Sequence, residues 1–94
     1  MNAESELDPL GTAHIGSRKG FVQFLDKLHA EYQQNGKAWE NQTLGDFLEA
    51  LSRYVEDIEG YYSNLSHSGG ESINADFASW RVFADMLRGA TIYE

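Results

Sequence analysis

Residues 43–62 read TLGDFLEALSRYVEDIEGYY, and this stretch carries the clearest periodicity in the chain. Its apolar residues recur at steps of four, three, four, three and four: Leu44, Leu48, Leu51, Val55, Ile58 and Tyr62. This spacing places them on one face of an α-helix, which Phe47 and Tyr54 widen. Thr43 suits the N-cap, because its hydroxyl can accept a backbone N–H of the first turn. We therefore predict an amphipathic helix whose stripe faces the core, with the hydroxyl of Tyr62 reaching the surface.

The opposite face of this helix is acidic. Six acids lie between positions 40 and 59: Glu40, Asp46, Glu49, Glu56, Asp57 and Glu59. Only Arg53 offsets them, and the whole chain has 15 Asp and Glu against 7 Lys and Arg, a formal charge of −8. Such a field speeds encounter with a cationic partner and repels nucleic acid. A solvated face that merely keeps a small protein soluble remains an equal alternative at this point.

Weaker helical patterns lie on both sides of this stretch. Apolar spacing predicts a first helix that Ser17 caps and that Asn35-Gly36 stops, because both of these residues tolerate the left-handed conformation of a helix C-cap. Trp39 follows in a link, where it either closes the end of the bundle, which we favour, or stands at a docking surface. The segment 63–72 is rich in Ser, Asn and Gly, which predicts a mobile loop.

A third helix is expected near the end of the chain. Asn74 or Asp76 is the predicted N-cap, and Arg88-Gly89 is a predicted end, after which residues 90–94 either extend the helix by a turn or fold back. Phe77 and Trp80 would lie on its apolar face. Phe83 or Ala84, and Leu87, share this face by their spacing, whereas Val82 and Met86 are placed to face a second neighbour.

Together these patterns predict an all-α fold, a small single-domain helical bundle of three main helices plus one or two short ones. Its 94 residues suffice for one domain. Residues 1–16 form an N-terminal arm, flexible or loosely packed, and residues 17–94 form the helical domain. No segment of useful length alternates strictly between apolar and polar residues, so strands are not expected.

The sequence offers little for catalysis. It has no cysteine, and its histidines, His14, His29 and His67, fall on an arm, a helix and a loop without metal-ligand spacing. No phosphate-binding loop or nucleophile motif is present. We therefore expect no enzymatic activity, no cofactor and no metal. No signal peptide or membrane-spanning stretch is visible, so a cytoplasmic location and no membrane partner are expected.

Several short motifs resemble a small acidic bacterial family that is uncharacterised. They are Trp39-Glu40-Asn41, Phe47-Leu48-Glu49-Ala50-Leu51, Glu56-Asp57, Tyr61-Tyr62, Trp80-Arg81, Phe83-Ala84-Asp85 and Ile92-Tyr93-Glu94. The resemblance covers roughly positions 21–94 and implies no catalytic residues.

The chain also looks like the immunity proteins of bacterial toxin systems, of the contact-dependent growth inhibition or nuclease-colicin type. The local likeness is an acidic helix ending in a Tyr-Tyr pair, here Asp57 to Tyr62, followed by a loop and a helix with Trp80-Arg81. The chain departs from the colicin type in its longer N-terminal arm, in lacking proline after the tyrosines and in the spacing to the last helix. The resemblance implies a basic partner, the C-terminal nuclease domain of a toxin and most readily a ribonuclease, with no direct contact to nucleic acid.

The expected partner-binding residues are five acids and one aromatic side chain: Asp46, Glu49, Glu56, Asp57, Glu59 and Tyr61. The acids would pair with Lys or Arg, and Tyr61 would add buried area. The alternative is a self-associating helical adaptor or scaffold module without a toxin partner. It would use the apolar surplus of the last helix and the Ile92-Tyr93 tail.

Overall fold

The computed structural model describes residues 11–70 and 72–93. It contains three α-helices, α1 (Arg18–Asn35), α2 (Leu44–His67) and α3 (Trp80–Ala90), and a short 3₁₀ helix (Gly36–Ala38) after α1. No strand occurs within these described ranges. The all-α fold class predicted from the sequence is therefore confirmed.

The first two helices begin at the predicted caps. The Ser17 hydroxyl accepts the backbone N–H of Gly20 at 3.0 Å, and the Thr43 hydroxyl accepts that of Asp46 at 3.1 Å. Each bond satisfies a donor that the first turn of a helix leaves unpaired. The first helix ends at Asn35, as its sequence indicates. The left-handed C-cap predicted there is wrong, because Gly36 has a φ of −61° and continues the chain into the 3₁₀ helix.

The predicted loop over 63–72 is wrong in its first half, because α2 continues to His67. Leu65 lies seven residues after Ile58 and is partly buried, so it extends the buried face of the helix. Serine and asparagine reduce helix propensity by only a fraction of a kcal/mol, which such packing outweighs. The helix ends where Gly69 adopts a φ of 89°, in the left-handed region that glycine tolerates best.

The third helix begins later than predicted. Its N-cap is Ser79, whose hydroxyl accepts the N–H of Val82 at 3.1 Å. Asn74 instead closes a turn, since its side chain accepts the N–H of Asp76 at 2.9 Å and its carbonyl accepts that of Phe77 at 3.1 Å. Phe77 therefore lies outside the helix and is 69% exposed, not on the apolar face as predicted.

At its other end α3 runs through the predicted stop at Arg88-Gly89 and ends one residue later, at Ala90. A Cβ atom on Gly89 would lie 2.2 Å from Cε2 of Tyr54. The glycine therefore permits close approach of an aromatic ring to the helix backbone, and it does not act as a cap.

Helix α3 lies between the other two. One side of it packs on α1, where Ala84 joins Phe24 and Leu28 in a buried cluster. Ile15, from the segment before α1, is partly buried against the same cluster. The outer edge of this side is aromatic, with Phe21 5.5 Å from the ring of Trp80.

The other side of α3 packs on α2. Val82 joins Ile58 and Tyr62 in a second buried cluster, and Met86 lies against it. The expectation that Val82 and Met86 face a second neighbour is confirmed. Among the described residues, no Cα atom of α1 lies within 8 Å of one in α2, so α3 is the helix that contacts both of the longer ones.

A buried polar network crosses this second interface. The Tyr62 hydroxyl donates to Asp85 Oδ2 at 2.6 Å, and the Thr12 hydroxyl donates to Oδ1. Arg81 Nε lies 3.8 Å from the same carboxylate. The predicted surface position of the Tyr62 hydroxyl is therefore wrong. Burial, and then the bond to Asp85, raise the pKa of Tyr62 well above its ordinary value.

The link before α2 is tied to the end of α3 through Asn41. Its side-chain amide donates to the carbonyls of Ala90 at 2.9 Å and Tyr93 at 2.7 Å, and its backbone N–H donates to the carbonyl of Thr91 at 3.1 Å. The bond to Ala90 satisfies a carbonyl that the end of a helix leaves without an intrahelical partner, and the other two hold the residues that follow α3. Asn41 therefore has a structural role, because it fixes the link before α2 to the end of α3.

Candidate partner-binding surface

The exposed side of α2 contains two short segments with the same residue pattern, seven residues apart: 47–49 (Phe-Leu-Glu) and 54–56 (Tyr-Val-Glu). Seven residues make nearly two helical turns, so equivalent members lie in rows along the helix. The first member of each segment is partly buried, the second is an exposed aliphatic residue, and the third is an exposed glutamate. The aliphatic row therefore lies between the core on one side and carboxylates on the other.

Leu44 extends the aliphatic row toward the start of the helix. Leu44, Leu48 and Val55 are 72%, 53% and 37% exposed, and we call them the aliphatic row. The prediction that they face the core is wrong. Of the described helices only α3 packs on α2, and it has 11 residues against the 24 of α2, so it covers a single side of the longer helix.

A shallow groove of about 280 Å³ opens at the N-terminal end of the aliphatic row. Tyr32 from the end of α1 forms one wall, and Leu44 and Phe47 form the other. Trp39 lies between them, with its ring 5.1 Å from that of Tyr32 and 6.3 Å from that of Phe47. The groove therefore offers an apolar floor next to the exposed leucines.

The Trp39 ring is held in a fixed orientation. Its indole N–H donates to Glu31 Oε2 at 2.6 Å, and Arg88 lies 3.3 Å from the same oxygen. The partly buried ring packs at the end of the α1 cluster, as expected of a residue that closes the bundle. It also lines the groove.

Four of the six expected partner-binding residues lie on the solvent face of α2. They are Asp46, Glu49, Glu56 and Asp57, and all are exposed. Arg53 lies among them and pairs with Glu49 at 3.5 Å, with both side chains more than half exposed. An exposed pair of this kind contributes little to stability, so its carboxylate stays accessible to a competing cation.

Asp57 is engaged within the chain. Its carboxylate accepts a hydrogen bond from the hydroxyl of Tyr93, whose ring lies 5.0 Å from that of Tyr54. The bond to Asp57 raises the pKa of the Tyr93 hydroxyl. Burial raises the pKa of Tyr54 to about 12. Charge reversal at Asp57 would therefore also disturb the contact that holds residue 93 on α2.

Glu59 and Tyr61 lie on different sides of α2. Two residues apart on a helix are separated by about 160° around its axis. Glu59 is four residues after Val55, on the side of the aliphatic row, whereas Tyr61 lies on the far edge of the acidic face with its ring 5.5 Å from that of Tyr62. A flat partner surface cannot contact both residues at once.

Sequence reasoning missed the aliphatic row as a surface feature. Periodicity identifies an apolar face but does not say how much of it the rest of the chain covers. A usable signal was the length of α2, because a stripe along so long a helix exceeds what one short neighbouring helix can bury.

These features define a small all-α domain whose longest helix exposes aliphatic and acidic side chains next to each other. The chain belongs to the family of unknown function DUF7660, whose profile matches residues 17–94. The expectation that it belongs to an uncharacterised family is thereby confirmed. No curated protein and no solved structure matches the chain. Within the described ranges, every helix is too short or too polar to cross a membrane.

Proposed function

We propose that this chain is an immunity protein that binds and neutralises a cognate bacterial nuclease toxin, most readily a ribonuclease. The observation that supports the proposal is the solvent side of α2, where exposed leucines lie next to exposed glutamates. An apolar contact bordered by charge is the usual anatomy of a protein–protein interface. The resemblance to immunity proteins supplies the class of partner.

The proposed mechanism follows from charge. A nuclease must be basic where it holds phosphates, and this chain carries a formal charge of −8. The acidic face of α2 attracts that surface over long range and speeds encounter. Once bound, the protein blocks the substrate by its bulk and its negative field. The proposed contact residues remain Asp46, Glu49, Glu56, Asp57, Glu59 and Tyr61. Because Glu59 and Tyr61 lie on different sides of α2, a partner that contacts all six must present a concave surface.

Co-expression tests the proposal directly. The chain would be expressed with the C-terminal domain of the protein encoded immediately upstream, and growth and co-purification measured. We expect the upstream domain alone to arrest growth, and its co-expression with this chain to restore growth and yield a stable complex. A toxic upstream domain that is neither bound nor neutralised refutes the proposal.

Charge reversal tests the acidic face. Glu49→Lys/Glu56→Lys should weaken the complex, and the loss should be larger at low salt, because screening reduces surface electrostatics. The matched control is Asp26→Lys/Glu40→Lys, which reverses two exposed carboxylates outside α2. Equal weakening by both pairs would indicate a general effect of net charge and not a binding face.

The alternative function is self-association without a toxin partner. A specific observation favours it: Ile92, directly after α3, is 65% exposed. Light scattering over a range of protein concentrations separates the two functions. A mass that doubles with concentration and returns to the monomer value in Ile92→Ser favours the adaptor, whereas a monomer at every concentration excludes it.

A further inference from the structure

The aliphatic row is a feature of the surface that the proposed acidic contacts do not explain. Leu44, Leu48 and Val55 span eleven residues, which corresponds to about 16 Å along the helix. Their spacing of four and seven residues is that of one side of a helix–helix seam. The groove beside Trp39 continues the row at its N-terminal end.

We propose that the aliphatic row and this groove bind an amphipathic helix of the partner protein that carries apolar residues on one face and Lys or Arg beside them. This inference deepens the proposed function, on which it rests, by naming the segment of the partner that is recognised. The apolar face of that helix covers the leucines, and its cations reach the glutamates on the outer border of the row.

The carboxylates beside the aliphatic row favour a basic helix as its partner. Glu49 and Glu56 each follow a member of the aliphatic row, about 100° further around the helix and away from the core. Glu59 lies one turn beyond Val55 on the same side. A helix packed along the row therefore has three carboxylates beside it, and flanking charges of this kind select the partner in helix pairs.

The same charges disfavour two other occupants. A second copy of this chain, packed row to row, would bring the two sets of glutamates together in a pair of molecules that each carry −8. The first ten residues of the chain contain three acids and no Lys or Arg, so they would meet the same repulsion.

An environment-sensitive dye at the row distinguishes these occupants. Because the chain has no cysteine, Leu48→Cys accepts a single dye, and Phe77→Cys provides an exposed control site. The probe is a synthetic peptide of about 18 residues, since shorter isolated helices are marginal in water. Its leucines lie on one helical face and are flanked by lysines.

We expect dye at position 48 to report water in the free protein and an apolar environment after the peptide is added, with no change at position 77. An apolar signal in the free protein that grows with concentration would identify a second copy as the occupant. An apolar signal in the free protein that does not depend on concentration would identify another segment of the same chain as the occupant. Either of these two results overturns the proposal.

Affinity measurements with dye-labelled peptide and cysteine-free protein test the contact. Leu44→Ser/Leu48→Ser should weaken binding at least about tenfold, the effect of losing one well-buried aliphatic contact. Phe77→Ser/Ile92→Ser removes two equally exposed apolar residues elsewhere and should leave affinity within about twofold. A peptide of the same composition without an amphipathic face should bind more weakly. Equal binding of the two peptides, or no effect of the leucine variants, overturns the proposal.

Co-expression with the upstream domain separates this inference from the proposed function. Rescue that survives Leu44→Ser/Leu48→Ser with unchanged complex affinity rejects the aliphatic row and leaves the immunity function standing. Peptide binding through the row without any rescue by the wild-type chain rejects the immunity function and leaves the docking surface standing.

Discussion

The Tyr62→Phe substitution removes one hydroxyl from the buried network that joins α2 to α3. The ring stays in the cluster with Ile58 and Val82, so the change isolates the bond donated to Asp85 at 2.6 Å. A hydrogen bond to a charged group contributes roughly 1.5–3 kcal/mol, and its loss leaves a buried carboxylate with one donor fewer. We expect the free energy of unfolding to fall by about 2 kcal/mol.

For a domain of this size, the expected loss corresponds to a fall in Tm of about 8–16 °C, at about 4–8 °C for each kcal/mol. Urea unfolding followed by circular dichroism gives the free energy, and calorimetry gives Tm. The matched control is Tyr61→Phe, the adjacent tyrosine, whose side chain is half-exposed. It should change stability by less than about 0.5 kcal/mol, as most surface substitutions do.

A double-mutant cycle tests the cause. Asp85→Asn and Tyr62→Phe should show a coupling energy of at least about 1 kcal/mol, because they are partners in one hydrogen bond. A Tyr62→Phe protein within about 0.5 kcal/mol of wild type, or equal to Tyr61→Phe, would refute the argument that this hydroxyl holds the two helices together.

Three further predictions concern stability. Gly89→Ala should destabilise the fold by about 1–3 kcal/mol in urea unfolding, because the added Cβ would meet the ring of Tyr54. The control Gly60→Ala, with open space around it in α2, should stabilise the fold by up to about 1 kcal/mol. Stabilisation by both substitutions would show that the ring does not approach Gly89 closely. Asn41→Ala should lower Tm through the loss of two bonds to carbonyls after α3, and Gln42→Ala, an exposed neighbour, should not. The pKa of Tyr54 in the folded protein, about 12, exceeds its unfolded value near 10. The stability that the protonated Tyr54 hydroxyl contributes is therefore complete below pH 10 and is lost as the pH rises toward 12. Unfolding monitored with tyrosinate absorbance tests this, and a free energy of unfolding that stays constant between pH 10 and 12 would contradict it.

Local sequence signals located both ends of α1 and the start of α2 correctly, but they misplaced the end of α2 and the start of α3. Ser17 and Thr43 cap their helices because a side-chain oxygen of the right residue lies directly before an apolar pattern. The same rule selected the wrong cap for α3, where Asn74 and Ser79 both fit. Asn74 uses its side chain to close a turn, and only the packing of α3 against its neighbours selects Ser79.

The candidate surface was only partly predictable. Exposure of the acids on α2 followed from their spacing, because charged residues on one face of a helix remain in water. Exposure of Leu44 and Leu48 did not follow, because it depends on which helix lies opposite. The network around Asp85 was equally hidden, since its members lie 73 and 23 residues apart in the chain.

The sequence by itself determined the helical class, the caps of α1 and α2 and the acidic face, because each depends on residues within a few positions of one another. The tertiary structure alone decided that α3 separates α1 from α2, that Gly89 receives the ring of Tyr54 and that the aliphatic row stays uncovered. These features depend on contacts between distant segments, and burial of apolar surface is not directional, so a stripe of leucines is satisfied equally by the chain's own core or by a partner.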